Sequence, residues 1–280
     1  MRFFYTLLLI TLITLVSSIP AFATDGESLD PVFDRVMSTR TLRCGYTVYP
    51  PFFEKDLKTG EFKGMFYDFT QEMAKRLNIK VEYVAEVGYD MLFEGFKSGR
   101  YDAVCGGYAN VPARANGGDF TKPIVYIPTY VFVRNDETRF KTYDDLNKPI
   151  YTVATIDGEF SQIIARQMIP NAKEFSMQGL STAAERMEMV ASKKADFSPF
   201  EAAIGFEYIR KNPGKIKKFG DRPLHVFGTS IIVPHKENAL KNYLDNVIDN
   251  MTYDGTIERV IAKHIPDKGA AFPPAVPYKE

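Results

Sequence analysis

The segment SGRYDAVCGGYANVPARANGGDFTKP, residues 98–123, decides the fold. Its centre, residues 102–107 (DAVCGG), is a short apolar run that ends in two glycines, which predicts a buried strand followed by a loop. The loop carries a single arginine, Arg114, within the tetrad VPAR. The glycines mark the point at which we expect the chain to leave the sheet.

Two further strands and two helices are predicted before this segment. Apolar residues recur at helical spacing in two stretches and alternate with polar residues in another. The first strand must end at Pro50 and Pro51, because proline cannot donate to a strand ladder. The βαβαβ order predicts a parallel sheet with right-handed crossovers. These elements occupy residues 41–46, 66–77, 80–84, 89–97 and 102–107.

A second α/β set follows the segment. An extended stretch at 129–134 leads out of the first set, and another at 227–233 leads back. Two α/β sets joined by two extended crossings predict a two-lobed α/β molecule, in which each lobe is a mostly parallel sheet flanked by helices. The crossings would form a two-strand hinge, and a ligand would bind in the cleft between the lobes. The other expected strands lie at 151–154 and 196–198, and the other helices at 161–168, 181–192, 202–210, 240–251 and 256–264.

The N-terminus predicts export to the periplasm through a cleavable signal peptide. Arg2 supplies a positive charge, residues 7–16 are apolar but too short to span a membrane, and residues 21–23 (AFA) form a cleavage site. We therefore expect a mature protein that is not embedded in a membrane. The expected organisation is a signal peptide at 1–23, a first lobe from 31–130 and 228–266, a second lobe from 131–227, and a loosely packed tail at 267–280.

Composition excludes several classes of function. Lys plus Arg equals Asp plus Glu, at 35 each, so no basic field is available to hold nucleic acid. The three histidines (His225, His235 and His264) are scattered, and we expect neither a metal site nor a cofactor. The protein is expected to be a monomer.

The two cysteines, Cys44 and Cys105, allow two interpretations. In an oxidising compartment they could form a disulfide, since both lie at similar places on predicted strands. We favour the alternative of two small buried thiols. The reason is that a bond between neighbouring strands is expected to strain disulfide geometry.

Several motifs occur along the chain in an order that resembles that of a known family. Besides residues 98–123, they are LRCGYTVYPPF (42–52), GMFYDF (64–69), KKADFSPFEAA (193–203) and YDGTIERVIAKH (253–264). In this order the chain resembles the polar amino-acid-binding proteins of ABC importers, solute-binding protein family 3, which have the type II periplasmic binding fold. The resemblance implies a small-molecule ligand and a partnership with the permease subunits of an importer.

The resemblance also implies a set of ligand contacts. Arg114 corresponds to the arginine that clamps a ligand carboxylate, for which a guanidinium fork is suited. Glu201 corresponds to the acid that receives the ligand's amino group. The other implied contacts are the aromatic rings of Tyr49 and Tyr89, main chain at Gly106, Gly107 and Ala109, and the loop residues Gly158 and Glu159. The ring of Tyr46 is expected to join the two tyrosines in stacking on a planar or cationic group.

This chain departs from the family pattern in its neutral and acidic groups. The hydroxyls that usually assist the arginine are missing, with Val111 in place of the usual threonine, while Asp157 and Glu159 add acids. These departures predict a ligand that is more cationic, more aromatic or bulkier than a simple amino acid. Two structural alternatives stay open, a surface pairing of Arg114 with Asp119 and a solvated Glu201 at a helix N-terminus.

Binding without catalysis is the function that the residues favour, because they contain no nucleophile–base pair. Two alternatives remain. Some proteins of this fold resemble aromatic dehydratases, and Glu201 or Glu159 would then serve as a general acid. Others present a ligand to a separate receptor as part of a sensor.

Overall fold

A computed structural model describes residues 30–276, so the expected signal peptide lies outside the described residues. The described chain forms eight α-helices and twelve strands. The helices are α1 Pro31–Thr39, α2 Met65–Leu77, α3 Glu94–Lys97, α4 Phe160–Met168, α5 Ala183–Ala191, α6 Ala202–Lys211, α7 Asn238–Tyr253 and α8 Thr256–His264. The strands are β1 Thr41–Tyr46, β2 Glu54–Lys55, β3 Phe62–Lys63, β4 Lys80–Glu86, β5 Ala103–Ala109, β6 Asp119–Phe120, β7 Val125–Arg134, β8 Thr152–Ile156, β9 Lys173–Met177, β10 Phe197–Glu201, β11 Ile216–Phe219 and β12 His225–Val233.

One sheet runs through the described chain in the order β4-β1-β5-β12-β7-β10-β8-β9, with β11 beside β7 and β6 beside β12. At one end β1 pairs in parallel with β4 and β5, and at the other end β8 pairs in parallel with β9 and β10. Between them β7 and β12 pair antiparallel. The predicted α/β class, with two mostly parallel sets joined by two extended strands, is therefore confirmed.

Each end of the sheet has its own helices. We call β4, β1 and β5 with α1, α2, α7 and α8 the first half, and β10, β8 and β9 with α4, α5 and α6 the second half. Within the first half, α2 packs on β4 and β5 and against α7 and α8, and within the second half, α4 and α5 pack on β8 and β10. The expected lobe boundaries, at 130/131 and 227/228, fall inside β7 and β12.

Local sequence explains where the helices begin and end. Helix α2 buries Phe66, Phe69 and Met73 on one side, as its apolar spacing predicts, and it ends at Asn78 in the left-handed conformation. Gly255, at φ 72°, makes the turn from α7 to α8. No helix within residues 30–276 is long and apolar enough to cross a membrane.

The favoured interpretation of the cysteines as free thiols is wrong. Cys44 on β1 and Cys105 on β5 form a disulfide between neighbouring strands. Their Cα atoms lie 5.6 Å apart, within the range that a disulfide spans. In the parallel register Cys44 lies opposite Ala103, so the two cysteines are offset by two residues along the paired strands.

The tail is more ordered than expected up to its sixth residue. Phe272 exchanges backbone hydrogen bonds of 2.8 and 2.9 Å with Tyr126 of β7, and Ala270 is fully buried. The carboxylate of Asp267 pairs with Arg210 on α6 at 2.7 Å. The tail pairs with β7 because the backbone groups of Tyr126 that face away from β12 need hydrogen-bond partners. The sequence interpretation also missed α1, β9 and β11.

Candidate ligand-binding site

A narrow cavity lies between the two halves, beside β7 and β12. The first half contributes its loops after β1 and β4 and the end of β5, and the second half contributes the loop before α4 and the end of β10. Three charged residues, Arg114, Glu159 and Glu201, are among those that line it. The remaining lining residues are Thr47, Tyr49, Phe52, Phe66, Tyr89, Gly106, Gly107, Tyr108, Ala109, Ile127, Phe160 and Phe227.

Arg114 ends a short 3-10 helix of three residues and is buried in this cavity. Its guanidinium donates to two main-chain oxygens, at 2.7 Å to Gly158 and at 3.4 Å to Ala109. Within residues 30–276 no carboxylate lies at ion-pair distance from it, and Asp119 pairs instead with His235. Burial lowers the pKa of Arg114. The cation therefore lies in the cavity with its Nε still unpartnered, which excludes the surface pairing with Asp119.

Glu201 is the last residue of β10 and immediately precedes α6, and its side chain is buried. It is therefore not a solvated N-terminal acid. The phenol of Tyr49, from the first half, donates to its Oε2 at 2.9 Å. Burial, and then repulsion from Glu159, raises the pKa of the Glu201 carboxyl to about 7. The carboxyl can thus change its protonation state near neutral pH.

Glu159 is paired within its own half. Its Oε2 accepts from Arg186 on α5 at 2.6 Å and from the amide of Ser161 at 2.9 Å. Both members of the pair are almost wholly buried, with exposed side-chain fractions of 2% and 0%. Burial, the largest single influence, lowers the pKa of Arg186, but Glu159 together with Tyr49, Glu201 and Tyr89 outweighs it and the pKa is raised. The pair is a compensated ion pair at the cavity wall.

The sequence interpretation missed Arg186, although the pattern held a signal for it. Arg186 lies three residues after Ala183 and four before Val190, and all three are on the buried face of α5. A charged residue on the apolar stripe of a helix requires a buried partner. Here the partners are Glu159, the phenol of Tyr49 at 3.3 Å and the ring of Phe200, whose centroid lies 3.8 Å from the guanidinium carbon.

Asp157, the other acid that was expected to make the cavity more negative, does not line it. Its carboxylate accepts hydrogen bonds from Ser176 and Gln162 in the second half. Because Glu159 is paired with Arg186, neither of the two acids adds an unpaired negative charge to the cavity, contrary to the expectation.

The aromatic contacts divide into two sets. Tyr49 and Tyr89 both line the cavity, and their rings meet edge to face with centroids 5.9 Å apart. Tyr46 does not line it, and instead packs with Phe53 and Tyr83 under the β2–β3 hairpin. Tyr46 lies outside the cavity lining, unlike Thr47, because successive residues of a strand face opposite sides of the sheet.

Hydroxyl groups are present in the cavity at unexpected positions. The phenol of Tyr108 donates to Thr47 at 3.0 Å, and Thr47 donates to the main-chain oxygen of Val87 at 2.7 Å. Tyr108 was missed, although it follows Gly106 by two residues on a strand and so shares its face. Gly107 has φ 72°, and a Cβ there would lie 2.0 Å from the ring of Phe66. Gly106, Gly107 and Ala109 line the cavity as expected.

The loop at Gly158 brings the two halves into direct contact. Besides accepting from Arg114, Gly158 lies so close to the first half that a Cβ there would be 2.6 Å from the main-chain oxygen of Tyr89. The amide of Tyr89 also donates to the main-chain oxygen of Gly179 at 3.3 Å. Gly158 therefore lies beside the cavity and does not line it. We call this main-chain contact between the halves, Gly158 and Gly179 against Tyr89, the seam.

Within the part of the chain that the structure describes, the geometry offers one unpaired buried cation and one unpaired buried acid on opposite walls. Among residues 30–276, no three His, Cys, Asp or Glu side chains are grouped to hold a metal ion. A ligand with both a carboxylate and an ammonium group would match the two charges.

Comparisons with known proteins point to one family. The model of the bacterial extracellular solute-binding proteins, family 3, matches residues 42–267. A probable amino-acid ABC transporter-binding protein of Haemophilus influenzae is 23% identical over 243 residues, which cover 86% of this chain and 90% of the relative. ABC transporter arginine-binding protein 1 of Escherichia coli is 24% identical over 221 residues, covering 78% and 87%. The crystal structure of AncCDT-1, described as an ancestral amino acid-binding protein and a precursor of cyclohexadienyl dehydratase, has a TM-score of 0.73 and 26% identity, covering 84% of this chain and 99% of that one.

Proposed function

The chain belongs to the bacterial extracellular solute-binding proteins of family 3, and we propose from this that it binds a free amino acid and delivers it to an ABC importer. One observation carries the proposal. Arg114 and Glu201 lie buried in one cavity, come from opposite halves and, within residues 30–276, have no oppositely charged group at ion-pair distance. A zwitterionic amino acid supplies both missing partners at once.

Six of the predicted site residues have a place in this proposal. Arg114 holds the ligand carboxylate with the donors that its main-chain bonds leave free. Glu201, oriented by Tyr49, accepts from the ligand ammonium group. Tyr89 lies beside the guanidinium of Arg114, with 6.0 Å between its ring centroid and the guanidinium carbon, and main chain near Gly106 and Gly107 supplies neutral hydrogen-bonding groups.

Closure of two lobes is the proposed mechanism. The halves of the sheet would act as the lobes, with β7 and β12 as the hinge, and a ligand that contacts both walls would stabilise the closed form. The permease subunits of the importer would then recognise the closed surface. Export by the signal peptide at 1–23, a periplasmic location and a monomeric state belong to the same proposal, as do the lobe boundaries.

Thermal denaturation of the mature protein with each of the twenty standard amino acids tests the proposal. A ligand at about a hundred times its Kd stabilises the folded state by about 2.7 kcal/mol, so at least one amino acid should raise the melting temperature by several degrees at millimolar concentration. A panel without any shift would contradict the proposal.

A dehydratase acting on a prephenate-like acid is a second candidate. It is favoured by the Glu201 carboxyl, whose pKa of about 7 suits a general acid at neutral pH. Incubation with prephenate or arogenate, followed by chromatography, separates the two functions. Formation of an aromatic product would establish catalysis, and an unchanged substrate leaves the binding function.

A further inference from the structure

The way in which the charged residues of the cavity pair with one another bears on which side chain the ligand can carry. Of the three charged residues in its lining, Glu159 is already neutralised by Arg186. Only Arg114 and Glu201 remain, and in the proposed function they are engaged by the carboxylate and the ammonium group. No cavity charge is then left for a third charged group on the ligand.

Arg186 is held firmly against Glu159 in this structure. It is fully buried, stacks on the ring of Phe200 and donates to both Glu159 and Tyr49. Two of these contacts, with Glu159 and Phe200, lie within the same half and do not depend on closure, and separating a buried pair is costly. Glu159 is thereby kept from acting as the acid that would attract a cationic side chain.

The rest of the lining is predominantly apolar. Phe160 and Phe227 pack closely, with ring centroids 4.1 Å apart. Together with Phe52, Phe66 and Ile127 they give the cavity an uncharged wall. Such a wall favours a side chain that brings no charge to be desolvated.

We propose that Arg186 determines specificity by neutralising Glu159, so that the protein selects amino acids with uncharged side chains over arginine and lysine. This inference rests on the proposed function, and it deepens that function by naming the ligand class. It also reverses the preference for cationic ligands expected from the acids in the sequence. Arg186 is a positioning residue here, since it acts through Glu159.

Calorimetric titration of the mature chain tests the inference with leucine, methionine, phenylalanine, glutamine, arginine, lysine and glutamate. At least one of the four uncharged amino acids should bind about tenfold or more tightly than arginine and lysine. R186M should move the preference toward arginine and lysine by about tenfold or more, because Glu159 is then uncompensated. E159Q should move it toward glutamate, because Arg186 is then uncompensated.

Two further variants serve as controls. E159Q/R186M removes both charges and should restore the preference for uncharged side chains, and it stays informative if R186M does not fold, because replacing a whole buried pair is tolerated better than breaking it. R166M breaks an exposed pair with Glu174 in the same half and should leave the selectivity unchanged.

The outcomes separate this inference from the proposed function. A wild-type protein that prefers arginine or lysine would overturn the inference and keep the proposed function. So would a folded R186M variant with unchanged selectivity, or a double variant that prefers a charged side chain. A wild-type protein that binds none of the seven amino acids and shows no thermal shift with any other would overturn both.

Discussion

The two walls of the cavity compensate their charges differently. The wall from the first half has one charged residue, Arg114, whose hydrogen bonds go to main-chain oxygens. The wall from the second half has Glu159, Arg186 and Glu201, of which the first two neutralise each other. Pairing inside one wall thus leaves one charge on each wall, and those two face each other across the cavity. The number of charged residues in a site therefore says less about its ligand than the number left uncompensated.

Removing the charge of the first wall should have the largest effect. Arg114→Ala deletes one partner of a buried charge pair with the ligand carboxylate, a loss of about 2–5 kcal/mol, or about 30-fold to several thousand-fold in Kd. Calorimetry with the best-binding amino acid measures it. Arg100→Ala, at an exposed position of the same half, should leave the Kd unchanged. An unaltered Kd for Arg114→Ala would remove this residue from the site.

Removing the disulfide should weaken the first half itself. Cys44 and Cys105 are 61 residues apart in sequence, and a crosslink of this kind contributes about 2–4 kcal/mol to the free energy of unfolding. The variant with both cysteines changed to alanine should lose about that much in denaturant unfolding. Thiol titration of the unfolded wild-type protein should find no free thiol, and two free thiols would show that the bond is absent.

Acidification should weaken binding through the charge of the second wall. The raised pKa of Glu201, about 7, belongs to a group faced by Tyr49, Glu159 and Arg186. Below that pH the carboxyl is protonated and cannot pair with an ammonium group, so the affinity should fall by up to about tenfold per pH unit. Above pH 7 the affinity should level off.

The matched variants show whether this dependence comes from Glu201. Glu201→Gln should bind more weakly at pH 8 and lose the dependence between pH 5 and 7. Glu86→Gln, at an exposed position at the end of β4, should keep it. A wild-type affinity that is constant from pH 5 to 8 would argue against an ammonium partner for Glu201.

Widening the seam between the walls should have the smallest effect. Gly158→Ala places a Cβ 2.6 Å from the main-chain oxygen of Tyr89 and should reduce the affinity by about tenfold by opposing close approach of the halves. Gly214→Ala meets no atom within 4 Å at a similar positive φ. It therefore shares the backbone cost of about 1–2 kcal/mol in stability and should change the affinity little. Equal affinities for the two variants would contradict a role of the seam in binding.

The contrast between local patterns and pairings of distant residues explains what the sequence could predict. The βαβαβ order follows from local periodicity, and the places of Arg114 and Glu201 follow from the resemblance of ordered motifs to a known family. Neither needs knowledge of distant partners. The pairing of Glu159 with Arg186 joins residues 27 positions apart, and which acid a buried arginine meets depends on how α5 packs.

The placement of Tyr46 and the state of the cysteines differ from the sequence expectations for related reasons. Tyr46 lies next to Thr47, and a shift of one residue along a strand decides which of the two faces the cavity. The disulfide depends on the register of β1 against β5, which the pattern of apolar residues does not fix. Both errors concern side-chain placement within correctly predicted strands.

Calorimetry with three related compounds tests the two-wall account most directly. They are the amino acid with the largest thermal shift, its amide, which lacks the carboxylate, and its deaminated acid, which lacks the ammonium group. At pH 8 the amino acid should bind, and each analogue should bind at least about 30-fold more weakly, because it leaves one buried charge uncompensated. An analogue that binds as tightly as the amino acid would show that the charge it cannot engage is not part of the site, and would contradict the account.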